Sequence, residues 1–339
     1  MKKMNRRTFQ VAAAASTTIP MFSIGKPGPS ANSKVNVAMI GCSGVAQQAF
    51  SGAQGENLVA LCDVDQNHFG RFAKRYPEIN DAATFADFRV MLDKMGNEID
   101  MVCVNTPDHT HFAATIAAME RGIHVFTQKP LVHDIWQART LKKAKDKYKV
   151  LTNMGNQGHT FNGIRQLKEW YDYGIFGQIT EAHSFISGPQ WGSRYFQRPD
   201  RLPPSKETVP DSLDWDLWLG PTDAIDYNPV YHPLTWRGFN RYGTGTFGDW
   251  FCHVADAPIW LLDLYEPVSI EAEMVEGGNE WMVVDGCRIK FEFERRGDKA
   301  PCTFYWSNGN PAKFRPEAPA DWSWPGKPMK VGTYFVGTK

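Results

Sequence analysis

The sequence predicts an α/β protein with two domains: an N-terminal domain built on a parallel sheet, followed by an α+β domain. From Lys34 to about Asn153, short apolar runs alternate with helical patterns, which is typical of a parallel sheet with crossover helices. After Gly155 the composition shifts towards aromatic residues in Gly- and Pro-rich loops. A length of 339 residues also exceeds what one domain of common size needs.

Residues 1–32 differ in kind from the rest of the chain. Four basic residues among the first seven precede an apolar, alanine-rich run from Val11 to Ile24. That run is too short to span a membrane and has the layout of an export signal. The segment Asn5-Arg-Arg-Thr-Phe9 resembles the twin-arginine type. We therefore expect an export signal and linker over residues 1–32 and a periplasmic or otherwise exported protein without a membrane span.

The charge balance bears on nucleic-acid binding, and the cysteine spacing bears on metal binding. The 37 basic and 37 acidic side chains cancel, which argues against nucleic acid as a partner. The six cysteines form no Cys-x-x-Cys pair and no metal-ligand spacing, so we expect buried thiols and no metal site. These residues are Cys42, Cys62, Cys103, Cys252, Cys287 and Cys302.

A glycine turn after the first strand predicts a dinucleotide site. The strand Val35–Ile40 runs into Gly41-Cys-Ser-Gly-Val-Ala46, and the second strand, Leu58–Cys62, ends in Asp63. Backbone amides and the following helix N-terminus can hold a pyrophosphate, and Asp63 can bind the ribose hydroxyls while repelling a 2′-phosphate. NAD is therefore favoured over NADP, although Ser43 stands at the second glycine position of the usual fingerprint. The residues expected to bind the cofactor here are Gly41, Ser43, Gly44, Val45, Ala46 and Asp63.

Further strand ends should border the same cofactor, because open parallel sheets bind ligands at their carboxyl edge. The predicted strands are Ile99–Val104, Ile123–Thr127 and Val150–Asn153, with a helix from about Phe112 to Arg121 that Gly122 ends. No Cys or acidic residue lies at a helical spacing from the two histidines after the first of these strands, so they are not predicted metal ligands. The additional residues expected at the cofactor are Thr106, Pro107, His109, His111, Gln128, Lys129 and Gln157.

These motifs resemble the Gfo/Idh/MocA oxidoreductase family. The resemblance is carried by the glycine turn, Asp63, Thr106–His111 and Gly122–Pro130. The family usually has Glu-Lys-Pro where this chain has Gln128-Lys-Pro, which removes one negative neighbour of Lys129. The resemblance implies a Rossmann domain over residues 33–155 and, over residues 156–339, a substrate-binding and catalytic α+β domain with a large open, mostly antiparallel sheet. It also implies a homo-oligomer, dimer or tetramer, and a final portion beyond residue 339.

A second motif supplies the rest of the expected catalytic set. In Gly243–Asp256, Asp249 and His253 are four residues apart, which places them on one face of a helix. Such a pair alone is more often structural than catalytic. The family resemblance, however, implies a lysine from Glu-Lys-Pro plus an Asp-x-x-x-His pair, and Lys129, Asp249 and His253 match it. We expect His253 as general base, Lys129 as electrostatic partner of the reacting oxygen, and Asp249 as a group that orients the imidazole or binds a sugar hydroxyl.

Aromatic residues of the second half suggest a sugar-binding surface. Most of them should be core, but those in Gly- and Pro-rich loops are better candidates for substrate contacts. Alongside Lys129, Asp249 and His253 these are Trp191, Arg194, Tyr195, Trp236 and Arg237, whereas residues 199–210 should form a surface excursion.

The predicted function is NAD(P)-dependent oxidation of a secondary hydroxyl in a sugar, polyol or glycoside, with tightly bound cofactor. An exported enzyme has to carry and recycle its cofactor, either by pairing two redox reactions or by transient oxidation during glycoside cleavage. The sequence leaves these two open. A third possibility, of another class, is a nucleotide- and sugar-binding sensor without catalysis.

Overall fold

The computed structural model describes residues 34–77, 81–317 and 329–339, and Asn36–Lys339 form one compact unit. The predicted export signal lies outside the described residues. All six cysteines are free; five are buried, and Cys252 is half-buried. Among the described residues, no helix has the length and apolar character that crossing a membrane requires.

The N-terminal domain is a six-stranded parallel sheet with the order β3-β2-β1-β4-β5-β6. This is the doubly wound order, in which ligands bind where the strand order reverses, between β1 and β4. Its strands are β1 (Asn36–Ile40), β2 (Asn57–Cys62), β3 (Ala83–Phe85), β4 (Met101–Val104), β5 (His124–Gln128) and β6 (Thr152–Gly155). Its helices are α1 (Ala46–Gly52), α2 (Asn67–Arg75), α3 (Phe88–Met95), α4 (Asp108–Met119) and α5 (Ile135–Tyr148).

The central strands β1, β2 and β4 are mostly apolar because helices cover both faces of the sheet, whereas the edge strand β6 is polar and more exposed. Along β1, Ala38 and Ile40 pack into one core, while Val37 and Met39 pack into the other. Burial on both faces explains why the strands read as continuous apolar runs. The sequence placed the start of α4 at Phe112, which is wrong by one turn. The helix begins at Asp108. Its first turn is buried but polar, so a prediction from apolar periodicity alone misses it.

The second domain contains a five-stranded sheet with the order β11-β7-β10-β9-β8, in which only β7 and β10 run parallel. The expected open, mostly antiparallel sheet is therefore confirmed. The strands are β7 (Ile179–Ile186), β8 (Ser269–Glu276), β9 (Gly286–Phe293), β10 (Cys302–Asn308) and β11 (Val331–Gly337). The helices are α6 (Asn162–Asp172), α7 (Trp215–Leu219), α8 (Gly245–Val254), α9 (Asp256–Leu262) and α10 (Pro311–Phe314).

One face of this sheet fixes helix α8. Phe247 and Phe251 lie one turn apart on α8 and pack against Trp306, with Phe251 and Trp306 ring centroids 5.4 Å apart. The hydroxyls of Ser184 and Thr333 donate to the carbonyl of Val254 at the end of α8. This side of α8 is anchored to the sheet. Asp249 and His253, each two positions after one of these phenylalanines, therefore project away from the sheet.

The opposite face of the sheet, here called the outer face, carries polar and aromatic side chains. The His183 ring lies between the rings of Tyr305 and Tyr334, with centroids 4.7 and 4.5 Å away, and its Nε2 is 2.5 Å from Glu181. Alternation along the strands also places Arg288, Lys290 and Glu292 on this face.

A segment of the second domain folds back over the first. This cover segment, residues 212–233, forms an antiparallel bridge with the chain just after β2, at Asp65 and Leu213. The amide of Gln66 donates to the carbonyl of Ser212, and the amide of Asp214 donates to the carbonyl of Val64, both at 2.9 Å. Its aromatic residues pack into a third core together with Trp236, Phe239 and Tyr242. The predicted excursion over residues 199–210 precedes this segment and has no regular secondary structure.

Candidate active site

A cleft opens at the carboxyl ends of β1, β2 and β4, where the doubly wound sheet is expected to bind its ligand. Its empty volume is about 670 Å³, including space open to solvent. The N-terminal domain contributes Gly41, Ser43, Asp63, Thr106 and Pro107 to the lining, all of them predicted cofactor residues. The cover segment closes the other side with Leu217, Trp218, His232 and Pro233.

The glycine turn fits a dinucleotide. Gly41 has a φ of +87°, and a β-carbon there would lie 2.8 Å from the backbone carbonyl of Asn105, so only glycine suits this position. Gly44 also has a positive φ, of +55°. In the same cleft the buried hydroxyl of Thr106 has no hydrogen-bond partner within the described protein. A tight backbone approach and an unpaired polar group are what a bound pyrophosphate and nicotinamide would use.

Asp63 is held in place by its own domain. Its carboxylate accepts hydrogen bonds from the amide of Cys42 at 2.7 Å and from the amide of Asp65 at 2.9 Å, and His68 Nδ1 lies 3.1 Å away. Burial opposes charge on His68, but the hydrogen bond and the negative charge of Asp63 outweigh it and raise the His68 pKa above its ordinary value. These contacts fix the orientation of the Asp63 carboxylate at the position expected for ribose binding.

Two predicted cofactor ligands have other partners. His109 is 3% exposed, and its Nε2 lies 2.9 Å from the carbonyl of Trp218; burial lowers its pKa to about 3. The two ring nitrogens of His111 lie 2.7 and 2.8 Å from the carbonyls of Pro130 and Thr106. Neither imidazole lines the cleft. Both are buried: His109 packs against the cover segment at Trp218, and His111 connects the chain after β4 to the chain after β5. The Gln128 side chain is also buried, packed against Gly155, while Gln157 is exposed in a short 3₁₀ helix, residues 157–160.

Lys129 follows β5 directly and reaches helix α8 of the other domain. Its Nζ donates to Asp249 Oδ1 at 2.5 Å and to the backbone carbonyl of Asp249 at 2.8 Å. Arg237 Nε lies 3.7 Å from the same carboxylate oxygen. The Lys129 and Asp249 side chains are only 15% and 14% exposed. One carboxylate thus holds two cations in a largely desolvated site.

The charges of this cluster act on Asp249 and His253 together. Burial alone would raise the pKa of Asp249, but Lys129 and Arg237 outweigh it and lower that pKa below the usual range. Burial and then the Lys129 charge lower the pKa of His253, partly opposed by Asp249 and Asp256. An anionic carboxylate and a neutral imidazole therefore coexist near neutral pH, one helical turn apart.

A chain of hydrogen bonds leads away from His253. Its Nδ1 lies 3.1 Å from Asn156 Oδ1, and the Asn156 amide donates to Asp256 Oδ1 at 2.9 Å. His159 Nδ1 lies 3.0 Å from the other Asp256 oxygen. Asn156 and Asp256 are two residues of this site that the sequence missed. The available signal was the position of Asn156 directly after β6, but the prediction chose its neighbour Gln157.

Two further contacts join the start of α8 to the N-terminal domain. The hydroxyl of Thr244 donates to Asp108 Oδ2 at 2.8 Å, and His133 Nε2 lies 3.2 Å from the carbonyl of Gly243. Asp108 is 4% exposed, and burial raises its pKa above the ordinary value. Since Asp108 directly follows the cleft residues Thr106 and Pro107, its bond to Thr244 connects the cleft to the start of α8.

Of the five loop candidates for substrate binding, Arg237 lies next to Asp249, Tyr195 lies next to Arg237, and Arg194 contacts Tyr195. The Arg237 guanidinium lies 5.2 Å from the Tyr195 ring centroid, and Arg194 contacts the same ring at 4.6 Å. Trp191 is half-buried, and its indole nitrogen donates to Asp285 at 2.7 Å, which ties this loop to the start of β9. Trp236 was predicted incorrectly as a platform. It is 4% exposed within the third core, so its ring is not available to a sugar.

Comparisons with known proteins agree with this architecture. Residues 35–156 match the model of the GFO_IDH_MocA oxidoreductase family, NAD-binding Rossmann fold, and residues 162–300 match the C-terminal alpha/beta domain of that family. The chain belongs to the Gfo/Idh/MocA oxidoreductase family. Its N-terminal domain is an NAD-binding Rossmann domain, and the protein is in the general class of NAD-binding oxidoreductases.

Individual relatives are distant. D-glucoside 3-dehydrogenase of Escherichia coli K12 is 27% identical over 235 residues, covering 65% of this chain and 63% of that protein. A Glycosyl hydrolase family 109 protein of Shewanella baltica OS185 is 24% identical over 229 residues, covering 56% of this chain and 48% of the relative. The chain therefore spans less than two thirds of these curated relatives.

A solved structure shows the same fold. The WlbA dehydrogenase from Bordetella pertussis, determined with NADH and UDP-GlcNAcA, superposes with a TM-score of 0.62 at 16% identity. The match covers 90% of this chain and 78% of that one. Within the described part of this chain, no group of three or more His, Cys, Asp or Glu residues could hold a metal ion.

Because Lys129 and Arg237 share the Asp249 carboxylate, we expect removal of the anion to lower the free energy of unfolding more than removal of Lys129. Asp249→Asn leaves Lys129 and Arg237 facing each other without an anion and should lower the free energy of unfolding by about 3 kcal/mol. Lys129→Met leaves Asp249 paired with Arg237 and should cost less. Urea unfolding at pH 7, followed by circular dichroism, measures both.

The matched control is the exposed pair of Lys206 and Asp226, 2.9 Å apart. Lys206→Met should cost less than about 1 kcal/mol because solvent screens that pair. A Lys129→Met variant that loses more stability than Asp249→Asn would contradict the shared-carboxylate arrangement.

Proposed function

We propose that this protein oxidises a secondary hydroxyl of a sugar, polyol or glycoside with tightly bound NAD. The observation that carries the proposal is the convergence of Lys129, Asp249 and His253 at the end of β5, the strand next to β4, whose following residues line the cleft. Lys129 comes from the N-terminal domain, whereas the other two come from α8. A cation and a half-buried base with a lowered pKa are the groups that alcohol oxidation needs.

Lys129 and His253 have different roles because they differ in charge. An ammonium has three donors, and Lys129 uses two of them on Asp249, which leaves the third for the substrate oxygen. His253 takes the hydroxyl proton, and Lys129 stabilises the negative charge that develops on the oxygen. NAD, when bound, supplies the acceptor for the hydride that leaves the carbinol carbon. Arg237 and Tyr195 are placed to contact neighbouring hydroxyls of the substrate.

A redox-neutral reaction is the second candidate. In that case the same residues would oxidise a glycoside transiently, so that elimination releases the aglycone and leaves an unsaturated ketone. Water would then add to this ketone, and its carbonyl would be reduced again by the NADH formed in the first step. The similarity to a Glycosyl hydrolase family 109 protein favours keeping this alternative, as the similarity to D-glucoside 3-dehydrogenase favours net oxidation. Product analysis with aryl glycosides separates the two, because only the glycosidase releases the free aryl alcohol.

The variants Lys129→Ala and His253→Ala test the proposal. Each should lower turnover by about 10²-fold or more with NAD binding retained, since general acid–base groups contribute about 10²- to 10⁴-fold. In the wild type, activity should fall on the acid side only below the ordinary histidine value of 6.5, because the His253 pKa is lowered and its neutral form persists to lower pH.

The readout is absorbance of the bound nicotinamide during addition of sugars, polyols and glycosides across a pH series. Near-wild-type turnover in both Lys129→Ala and His253→Ala would contradict the proposal. Bound NAD that no such compound perturbs, in wild type as in variants, would favour the sensor instead.

Tight cofactor binding is supported by the cover segment. Leu217 and Trp218 close the cleft over the glycine turn, and backbone hydrogen bonds at Val64 and Gln66 fasten the segment. Wild-type protein should therefore retain NAD through gel filtration. Leu217→Ala removes apolar contact area at the half-buried rim and should release NAD about tenfold faster, measured by cofactor fluorescence after dilution. Leu151→Ala, at an exposed site outside the cleft, serves as the control and should release NAD at the wild-type rate.

Two further features belong to the proposal. The protein is exported by the twin-arginine route, and replacing Arg6 and Arg7 by lysine should leave it in the cytoplasm on cell fractionation.

The outer face pairs with a second copy, because its mixed acidic and basic side chains, such as Glu181 and Lys290, suit a two-fold interface. Sedimentation equilibrium should show a dimer or tetramer that Lys290→Glu weakens, whereas Lys142→Glu on α5 should not.

A further inference from the structure

The hydrogen-bond partners of His253 determine which of its nitrogens carries the hydrogen. Asp256 is a carboxylate and can only accept, so the Asn156 group that faces it at 2.9 Å is the amide nitrogen. The Asn156 oxygen must then face His253, where it can only accept as well. His253 Nδ1, 3.1 Å from that oxygen, is therefore the nitrogen that donates.

We propose that Asp256, acting through Asn156, holds His253 in the tautomer with hydrogen on Nδ1, and that both are positioning residues for the base. The lone pair of the neutral ring then lies on Nε2, the nitrogen turned away from Asn156. This inference rests on the proposed function only for the role of His253 as base. The tautomer itself follows from the three side chains.

The arrangement has the logic of a triad in which an amide transmits the orientation set by a carboxylate. The loop after β6 supplies Asn156, and α9 supplies Asp256 at its first residue. His159 Nδ1, from the 3₁₀ helix at 157–160, lies 3.1 and 3.0 Å from the two Asp256 oxygens, and the His159 ring is tilted 48° against the Trp260 ring. Asp256 is thus held by two side chains, which a residue that merely begins a helix does not require.

Charges from each neighbouring element act on the His253 ring. Lys129 at the end of β5 disfavours the imidazolium, whereas Asp249 on α8 and Asp256 on α9 favour it. His159 reaches the ring only through Asp256, and Arg237 only through Asp249. Removing or adding one negative charge in the relay should therefore move the acid limb of the pH profile in a direction fixed by its sign.

The first test reads the tautomer directly and needs no turnover. Nitrogen NMR of the NAD-bound protein with ¹⁵N-labelled histidine, assigned by comparison with His253→Gln, should show a protonated Nδ1 and an unprotonated Nε2 for His253 at neutral pH. In Asn156→Leu this preference should disappear. A hydrogen on Nε2 in the wild type would overturn the proposal.

The second test uses charge changes of opposite sign. Asp256→Asn should move the acid limb of kcat/KM to lower pH, and Asn156→Asp should move it to higher pH. Both should lower kcat about 10- to 100-fold, the usual cost of losing an orienting group, with little change in KM. The matched control is Asp263→Asn at the opposite end of α9, where the carboxylate pairs with Lys299; its profile should match the wild type.

These outcomes separate the relay from the function. If the wild type has the Nδ1–H tautomer but oxidises no sugar, polyol or glycoside, the proposed function fails and the relay stands. If the acid limb stays in place in both Asp256→Asn and Asn156→Asp, or moves in the same direction in both, the relay is wrong even for an active enzyme.

Discussion

The contact between Lys129 and Asp249 is the constraint on which the site depends. It joins the end of a parallel strand in one domain to a helix of the other, across 120 positions of sequence. Because both side chains are largely desolvated, the pair is favourable only in a narrow range of geometries. The helix cannot slide or rotate without leaving a charge unpaired. Asp108 and His133 restrain the same helix at its first turn, so the two domains meet in a single register.

The same cation prepares both ionisable partners. Lys129 favours the anionic form of Asp249 and disfavours the cationic form of His253, and a single charge therefore places two groups in the states that proton transfer requires. Arg237 reinforces the first effect. Its own position over the Tyr195 and Trp236 rings depends on the aromatic core beneath it. The chemistry of the site is thus coupled to packing that no substrate touches.

Most of the N-terminal domain could be predicted from the sequence, because strands buried on both faces and a glycine turn leave local signals. The position of Lys129 directly after a strand could be predicted for the same reason, whereas its assignment to the site came from the family resemblance. Asn156, Asp256, Asp108 and Thr244 escaped prediction because their roles arise from contacts about 100 residues or more away, as in the 2.9 Å bond from Asn156 to Asp256. Trp236 was misjudged because a loop-like sequence does not reveal that its ring is buried by residues from other segments.

The bridge between Asp65 and Leu213 has a consequence for synthesis of the chain. Domains generally fold as they emerge from the ribosome, N-terminal first. The strands and glycine turn of the nucleotide site are complete by residue 155, whereas the segment that roofs it appears only about 60 residues later. During that interval the nascent site is open, and contacts so distant in sequence form slowly. The nascent N-terminal domain accordingly presents its glycine turn and Asp63 to solvent before the segment that covers them has been synthesised.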